Sequence, residues 1–256
     1  MKKRKIKVIP VAIFLIFIGL VLSWPDGKMR LIVCDVGQGD GAILVKGNWQ
    51  MLIDSGADNG RMGRCLERYL PVWDKKIEVA VISHWDSDHA GALQSILKSF
   101  KVEKLIESTA SGQNIETDID TMVMKAGDRL RWGELKMEVI YPRDNREGVD
   151  NDVSLAMVLD YQGKRWLFTG DMPREAEGKV LGWWNKKIDV LKVSHHGSKT
   201  ATSEEWLYKL QPELAIISVG ANNFEHPSEE VIKRLEAAGS RILRTDQEGD
   251  MVFLWE

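Results

Sequence analysis

Four short apolar runs, each followed at once by polar residues, constrain the fold of this chain more than any other feature. They cover residues 77–83, 165–169, 188–194 and 214–219. Runs of this length, rich in β-branched residues and separated by segments of helical period, are typical of buried strands. Four strands that release polar clusters at their carboxyl ends predict a layered α/β enzyme with its site along one sheet edge.

The same periodicities predict the remaining elements. Further strands are expected near residues 31–36, 42–46 and 50–54, and helices near 61–69, 90–98, 175–181, 204–210 and 228–238. Ser228 is a suitable N-cap for the last helix, and Gly239 a suitable stop. No repeat or low-complexity linker divides residues 29–256, so we predict one catalytic domain there.

The N-terminus has a different composition. Five cations precede an uncharged apolar run over residues 8–22; they are Lys2, Lys3, Arg4, Lys5 and Lys7. This run is intermediate in length between a signal-peptide core and the roughly 20 residues that span a bilayer. We expect residues 1–28 to form a basic cytoplasmic end and a single-pass apolar membrane helix. The alternative is a cleaved signal and a secreted protein, and in both cases the domain is extracytoplasmic.

The charge of residues 29–256 limits the possible partners. This part contains 29 basic and 37 acidic residues, a net charge of −8. Broad electrostatic binding of a nucleic-acid backbone needs clustered Lys and Arg, so the composition argues against it. Bound divalent ions would offset several charges locally.

The two cysteines are Cys34, in an apolar strand, and Cys65, on a predicted helix. Two cysteines in a chain of this length do not form a disulfide framework, so we expect two buried thiols. A single bridge is the alternative outside the cytoplasm.

A compact set of metal-ligand types follows the run at 77–83. Four of the six residues from 84 to 89 are potential ligands, namely His84, Asp86, Asp88 and His89. Histidine and carboxylate ligands suit divalent first-row metals, which can activate water for hydrolysis. A helix N-cap at residues 86–88 is the structural alternative, but it does not account for two flanking histidines.

The other three histidines of the chain lie in two further polar clusters. His195 and His196 stand in Ser-His-His-Gly-Ser at 194–198, and His226 stands in His-Pro-Ser at 226–228. Thr-Gly-Asp at 169–171 adds Asp171. Together these clusters predict a metallohydrolase.

In this order, the motifs resemble the metallo-β-lactamase fold. Asp-Val-Gly-Gln-Gly-Asp at 35–40, Leu-Ile-Asp-Ser-Gly at 52–56 and Thr-Asp-Gln-Glu-Gly at 245–249 add a resemblance to the extracellular nuclease-like domain of the ComEC DNA-uptake family. The resemblance covers residues 29–256. It implies a four-layer αββα sandwich and hydrolysis at one or two divalent ions.

The resemblance also implies ligand sets. One ion would be bound by His84, Asp86 and Asp171. The second ion would be bound by Asp88, His89, His226 and a bridging Asp171, with Asp88 also orienting the attacking water.

Two departures from the family pattern affect the choice of metal. Most members have His where Asp86 stands, and this chain has no histidine between residues 90 and 194. Fewer imidazoles and more oxygen ligands shift the preference from zinc toward manganese or magnesium. Asn151 or Asp152 either replaces the missing ligand or belongs to an ordinary turn.

Several nearby residues are assigned supporting roles. Because adjacent residues on an extended segment point to opposite sides, we expect only His195 to face the metals. By resemblance it donates a proton to the leaving oxygen or, alternatively, binds a metal, with His196 behind it. Lys199 either contacts a phosphate or is solvated. Asp40 either approaches the metals or caps its turn, and Asp54 braces His84 or His89 through a hydrogen bond.

The sequence thus predicts an exported, membrane-tethered, metal-dependent phosphodiesterase or nuclease that acts on DNA or another nucleotide polymer. The alternative keeps the fold and changes the substrate to a lactone, a β-lactam or a small phosphoester. A noncatalytic binding module is a third hypothesis. No particular protein partner is predicted.

Overall fold

A computed structural model describes residues 26–108, 118–143 and 153–255. Its strands form two seven-stranded sheets. The first sheet contains β1 Met29–Val33, β2 Gly41–Lys46, β3 Trp49–Ser55, β4 Lys76–Ile82, β5 Lys101–Glu107, β6 Asp120–Val123 and β14 Met251–Trp255. The second sheet contains β7 Arg129–Trp132, β8 Leu135–Tyr141, β9 Ala156–Tyr161, β10 Lys164–Phe168, β11 Val190–Lys192, β12 Leu214–Ile217 and β13 Arg241–Arg244.

The strand order groups the parallel strands in one half of each sheet. The first sheet runs β14-β1-β2-β3-β4-β5-β6 and the second β13-β12-β11-β10-β9-β8-β7. Strands β3 to β6 pair in parallel, and so do β10 to β13. Their carboxyl ends therefore lie at a common edge, which we call the site edge.

Helices cover the outer faces of both sheets. The helices over the first sheet are α1 Arg61–Tyr69, α2 Ser87–Ala90 and α3 Leu93–Leu97. The helices over the second sheet are α4 Arg174–Leu181, α5 Glu204–Leu210 and α6 Glu229–Ala237, and a short α7, Thr245–Glu248, leads into β14. One apolar cluster fills the space between the sheets, and a separate cluster lies under each helical layer. This is the four-layer αββα arrangement predicted from the sequence.

Most predicted elements occur within a few residues of their expected bounds. Ser228 caps α6 by accepting a hydrogen bond from the Val231 amide, and Gly239 follows the helix with φ +79°. The helix expected over residues 90–98 is instead divided into α2 and α3. The Asp88 carbonyl accepts the Asp40 amide, and the Ala92 amide donates to Gly56, so tertiary bonds replace the helical bond between these groups.

The two cysteines form a disulfide. Cys34, which follows β1, is bonded to Cys65 of α1, and both residues are buried. The expectation of two free thiols was therefore wrong, and the alternative of a single bridge is the one observed. Spacing alone could not decide this, because the pairing depends on how closely α1 packs against the end of β1.

The basic end and apolar membrane helix were predicted over residues 1–28, of which residues 1–25 lie outside the described residues. Among the described residues, no helix is long and apolar enough to cross a membrane. The tether of the domain therefore stays a prediction.

Candidate metal centre

The segment at 84–89 leaves β4 at the site edge and turns at once into α2. The amides of His89 and Ala90 donate to the Asp86 carbonyl, which closes the first turn of this helix. Asp54, at the end of β3, accepts the Ser83 amide at 2.7 Å and the Nδ1 atom of His89 at 3.1 Å. The expected hydrogen bond between Asp54 and one of the two histidines is confirmed, with Asp54 as the acceptor, and it directs the Nε2 atom of His89 into the centre.

Asp171 lies at the middle of the cluster. Its Oδ1 atom is 3.2 Å from His89 Nε2, and its Oδ2 atom is 3.9 Å from His84 Nε2. Its amide donates to Ser154 Oγ at 2.9 Å. The preceding Gly170 has φ +49°, and an added Cβ there would lie 2.3 Å from Ser154 Oγ, so only glycine fits this turn. Asp86 Oδ2 lies 3.4 Å from His84 Nε2.

These side chains fit a divalent cation. Donor atoms of His84, His89 and Asp171 lie within 4.8 Å of one another, as do those of Asp88, His89 and His196. His84 Nε2, His89 Nε2 and Asp171 Oδ1 are buried without a hydrogen-bond partner. Such orphaned groups each cost about 1–3 kcal/mol, so they require an explanation, and a cation between them provides one.

The electrostatics favour positive charge at this point. Burial opposes protonation of His89, but the carboxylates of Asp171 and Asp54 outweigh burial and raise its pKa well above the ordinary value. Burial alone would raise the pKa of Asp171, whereas the neighbouring histidines, His89 first, lower it well below the usual range. The same carboxylate field would stabilise a bound metal ion.

Both adjacent histidines face the centre. His196 is buried, with Nε2 3.2 Å from Asp88 Oδ2 and 3.8 Å from Asp171 Oδ1. His195 Nε2 lies 3.6 Å from Asp171 Oδ2. The expectation that only His195 faces the metals was wrong because it assumed an extended backbone. Residues 194–197 form a tight turn in which His195 and His196 have φ +50° and +52°.

His226 lies at the rim of the centre. Its ring centroid is 5.6 Å from that of His195, and Asn222 holds its backbone through two hydrogen bonds. It is not part of the donor groups that lie within 4.8 Å of one another among the described residues, where His196 accompanies Asp88 and His89 instead. The assignment of His226 as a ligand of the second ion stays a prediction.

Lys199 is exposed on the loop that follows the histidine turn. Glu177 of α4 holds this loop by accepting the backbone amides of Thr202 and Ser203. The structure thus places Lys199 on an anchored loop, and its role toward a phosphate stays a prediction. Asn151 and Asp152 lie outside the described residues.

Sequence reasoning missed a buried ion pair behind the centre. Lys192 Nζ lies 2.7 Å from the Asp40 carboxylate, and Asp40 Oδ1 is 3.3 Å from His196 Nδ1. Although burial opposes charging, Asp40 and Asp88 raise the pKa of His196 to about 9. Asp40 therefore approaches His196. A lone lysine inside the apolar run at 188–194 was the available signal, because Lys is almost never buried without a partner.

Comparison with known proteins gives a consistent result. The model of the metallo-beta-lactamase superfamily matches residues 35–221. The chain is 32% identical to ComE operon protein 3 of Bacillus subtilis over 95% of its length, and 34% identical to Recombination protein 2 of Haemophilus influenzae over 93%. These alignments cover 35% and 30% of the two relatives, so the chain spans about a third of their length.

Solved structures show the same fold. The metallo-beta-lactamase fold protein YhfI of Bacillus subtilis has a TM-score of 0.61 at 11% identity, covering 89% of this chain and 100% of that one. Igni18, a metallo hydrolase of Ignicoccus hospitalis, has a TM-score of 0.60 at 15% identity, with coverage of 89% and 100%. By its fold, its cluster of histidines and carboxylates and its match over more than half its length, the chain belongs to the metallo-beta-lactamase superfamily of metal-dependent hydrolases.

Proposed function

We propose that this chain is an exported, membrane-tethered phosphodiesterase that cleaves DNA with the help of one or two divalent ions. The observation that carries the proposal is the group of orphaned donor atoms around Asp171 at the site edge. A divalent ion bound there supplies Lewis acidity, which lowers the pKa of water to about 7. His84, His89 and Asp171 would hold the first ion, with Asp86 beside them.

We assign roles in proton transfer and water orientation to the remaining residues. Asp88 is partly exposed and lies beside His196, so its carboxylate can orient a water molecule toward a substrate at the rim. The His195 side chain is 30% exposed and lies on the open side of Asp171, which suits a donor to the leaving oxygen. The buried His196 holds Asp88 and does not need to meet substrate.

Two observations favour a nucleic acid over a small substrate. The relatives named above include a recombination protein, and another, 28% identical, is named Competence protein ComA of Neisseria gonorrhoeae. In addition, three arginines on α1 line a polar depression of about 220 Å³; they are Arg61, Arg64 and Arg68. The depression begins next to the loop of Gly37 and Gly39, and Gly39 packs directly against the Asp88 backbone.

The small-substrate hypothesis retains one supporting observation. The domain is acidic overall, and two of the three arginines of this depression are already paired, Arg61 with Asp35 and Arg68 with Asp250. Hydrolysis of nitrocefin or an acyl-lactone, without cleavage of DNA, would favour this alternative.

The central test uses the full chain purified in detergent. Metal content is measured first, and cleavage of plasmid and single-stranded DNA is then compared across manganese, zinc and magnesium. Asp88→Asn keeps the shape of the side chain but removes its charge. We expect at least an approximately hundredfold loss of cleavage with an unchanged melting curve. Asp118→Asn, an exposed carboxylate on the loop before β6, is the matched control.

Wild-type cleavage by Asp88→Asn would contradict the catalytic assignment, and protein without stoichiometric metal would favour the binding-module hypothesis. The tether is tested separately by cell fractionation and protease treatment of intact cells. Full-length protein in the membrane fraction that is digested from outside is expected. Soluble protein beginning near Trp24 would indicate a cleaved signal instead.

A further inference from the structure

The two sheets also share an edge opposite the site edge. We call it the far edge and define it by Met29, Lys46, Tyr161 and Lys164. Met29 pairs with Lys46 in the first sheet, and Tyr161 pairs with Lys164 in the second. Lys46 Nζ lies 3.0 Å from the Tyr161 hydroxyl, so the two sheets meet here.

A basic groove of about 430 Å³ opens on the outer face of the second sheet, beside the far edge. Its cations are Arg129, Arg131, Lys136, Arg165 and Lys186. Only two carboxylates line it, Glu138 and Asp160. The groove therefore has an excess of three positive charges, within a domain whose net charge is −8.

The cations of the groove are accessible. The side chain of Arg129 is 69% exposed and that of Lys186 is 48% exposed. Both are paired with Glu138, whereas Arg131 and Lys136 are exposed and form no ion pair with a described residue. Trp49 and Trp132, with ring centroids 5.5 Å apart, are half-buried at the far edge, where they pack against the core between the two sheets.

The groove is remote from the metal centre. Arg165 stands near the start of β10, and Asp171 follows the end of the same strand. The three steps from Arg165 to Phe168 rise about 10 Å along β10, and Asp171 lies beyond them on the turn that follows the strand. A ligand bound in the groove would therefore not occupy the position of a substrate held at the metal centre.

The start of the described domain lies at the same edge as the groove. β1 begins at Met29, and residues 26–28 before it are exposed. Twenty-five further residues precede Asp26 in the chain, including the apolar run at 8–22. A membrane that held this run would meet the domain at the far edge.

We propose that the basic groove docks on the phosphate headgroups of an anionic lipid surface and thereby turns the site edge away from the membrane. The proposal rests on the membrane tether proposed above, but not on the reaction. Each clustered cation close to an anionic lipid surface strengthens binding to that surface by about fivefold. Tryptophan side chains favour the membrane interface. Nucleic acid is the competing occupant of the groove. The groove is less suited to nucleic acid because it lies far from the metal centre.

The test uses the full chain reconstituted in lipid nanodiscs. Discs of phosphatidylcholine alone are compared with discs that also contain phosphatidylglycerol. Hydrogen–deuterium exchange is measured over the hairpin of β7 and β8, with α5 as an internal reference. We expect severalfold slower exchange of the hairpin in anionic discs, and loss of this protection at high salt.

Arg131→Gln combined with Lys136→Gln should abolish the protection without changing DNA cleavage. The matched control is Lys125→Gln combined with Lys233→Gln, which removes two exposed cations outside the groove. Equal exchange in both kinds of disc would overturn the docking proposal, as would protection of the hairpin by added DNA in neutral discs. Chain that does not remain with the discs would overturn the tether itself, and the DNA-cleavage assay reports separately on the reaction.

Discussion

At the scale of single residues, the pair of Lys192 and Asp40 is the strongest test of how this centre is supported. Both side chains are buried, and Asp40 also lies 3.3 Å from His196 Nδ1. Removal of one partner from a buried pair leaves an uncompensated charge and costs about 3–5 kcal/mol, whereas an apolar replacement of both partners is often neutral.

We therefore expect Lys192→Met to lower the free energy of unfolding by about 3–5 kcal/mol. Lys192→Met combined with Asp40→Leu should recover part of this loss, since the uncompensated Asp40 carboxylate is removed, while the buried His196 keeps only Asp88 and Asp171 as charged neighbours. Urea unfolding of the wild type, both single variants and the double variant measures the coupling. Losses that simply add would show that the pair does not act as a unit.

Asp86 provides a test of metal choice. Its Oδ2 atom lies 3.4 Å from His84 Nε2, and its side chain is 41% exposed, which leaves room for a larger ligand. Asp86→His adds an imidazole and removes a negative charge, so zinc should bind more tightly and the manganese-to-zinc activity ratio should fall. Calorimetric titration with zinc and cleavage assays with both metals measure the shift.

An active Asp86→His variant with the metal profile of the wild type would contradict coordination by Asp86. Asp118→Asn again serves as the exposed control, because it changes the same charge without a neighbouring imidazole.

At the scale of the elements, the interaction between α4 and the loop at 198–203 links the fold to the centre. Glu177 is buried and accepts the amides of Thr202 and Ser203. Glu177→Ala leaves both amides without a partner, and we expect a loss of about 2–4 kcal/mol in unfolding free energy. Glu175→Ala, an exposed carboxylate in the first turn of the same helix, should change stability by less than about 1 kcal/mol.

The contribution of Glu177 to the free energy of unfolding should also depend on pH. Burial raises the pKa of Glu177, and the amide hydrogen bonds only partly offset it. Because the folded pKa is higher than the unfolded pKa, the folded state binds the proton more tightly. The wild type should thus lose stability relative to Glu177→Ala as pH rises from about 4 through the folded pKa. Unfolding curves at several pH values check this sign, and a difference that grows with pH would contradict it.

Local patterns identified most of these elements, and contacts distant in sequence account for the errors. Helical period was sufficient for α1 and α5, and helical period together with the Ser228 cap was sufficient for α6. The division between α2 and α3 depends on two tertiary hydrogen bonds, from the Asp40 amide to the Asp88 carbonyl and from the Ala92 amide to the Gly56 carbonyl. No local window of sequence contains both partners of either bond. The orientation of His196 likewise depends on a left-handed turn that a helix or strand period does not encode.

At the scale of the whole molecule, the domain has two chemically different ends. Carboxylates and histidines converge where the parallel strands end, and cations with tryptophans gather where β1 begins. The net charge of −8 over residues 29–256 argued against electrostatic binding of a polyanion, but a net charge averages over both ends. Only the fold separates the acidic site edge from the basic groove. The argument from net charge against binding of a polyanion therefore does not hold for every surface of the domain.

The disulfide stabilises the fold as a whole, because Cys34 follows β1 in the first sheet and Cys65 belongs to the helix that covers it. The bridge closes a loop across 31 positions, for which chain entropy predicts about 3.7 kcal/mol. Reduction, or Cys34→Ser with Cys65→Ser, should lower the melting temperature by about 7–15 °C. Metal content should be unchanged, since neither sulfur belongs to the donor groups. Equal melting temperatures with and without reductant would show that the bridge does not stabilise the fold.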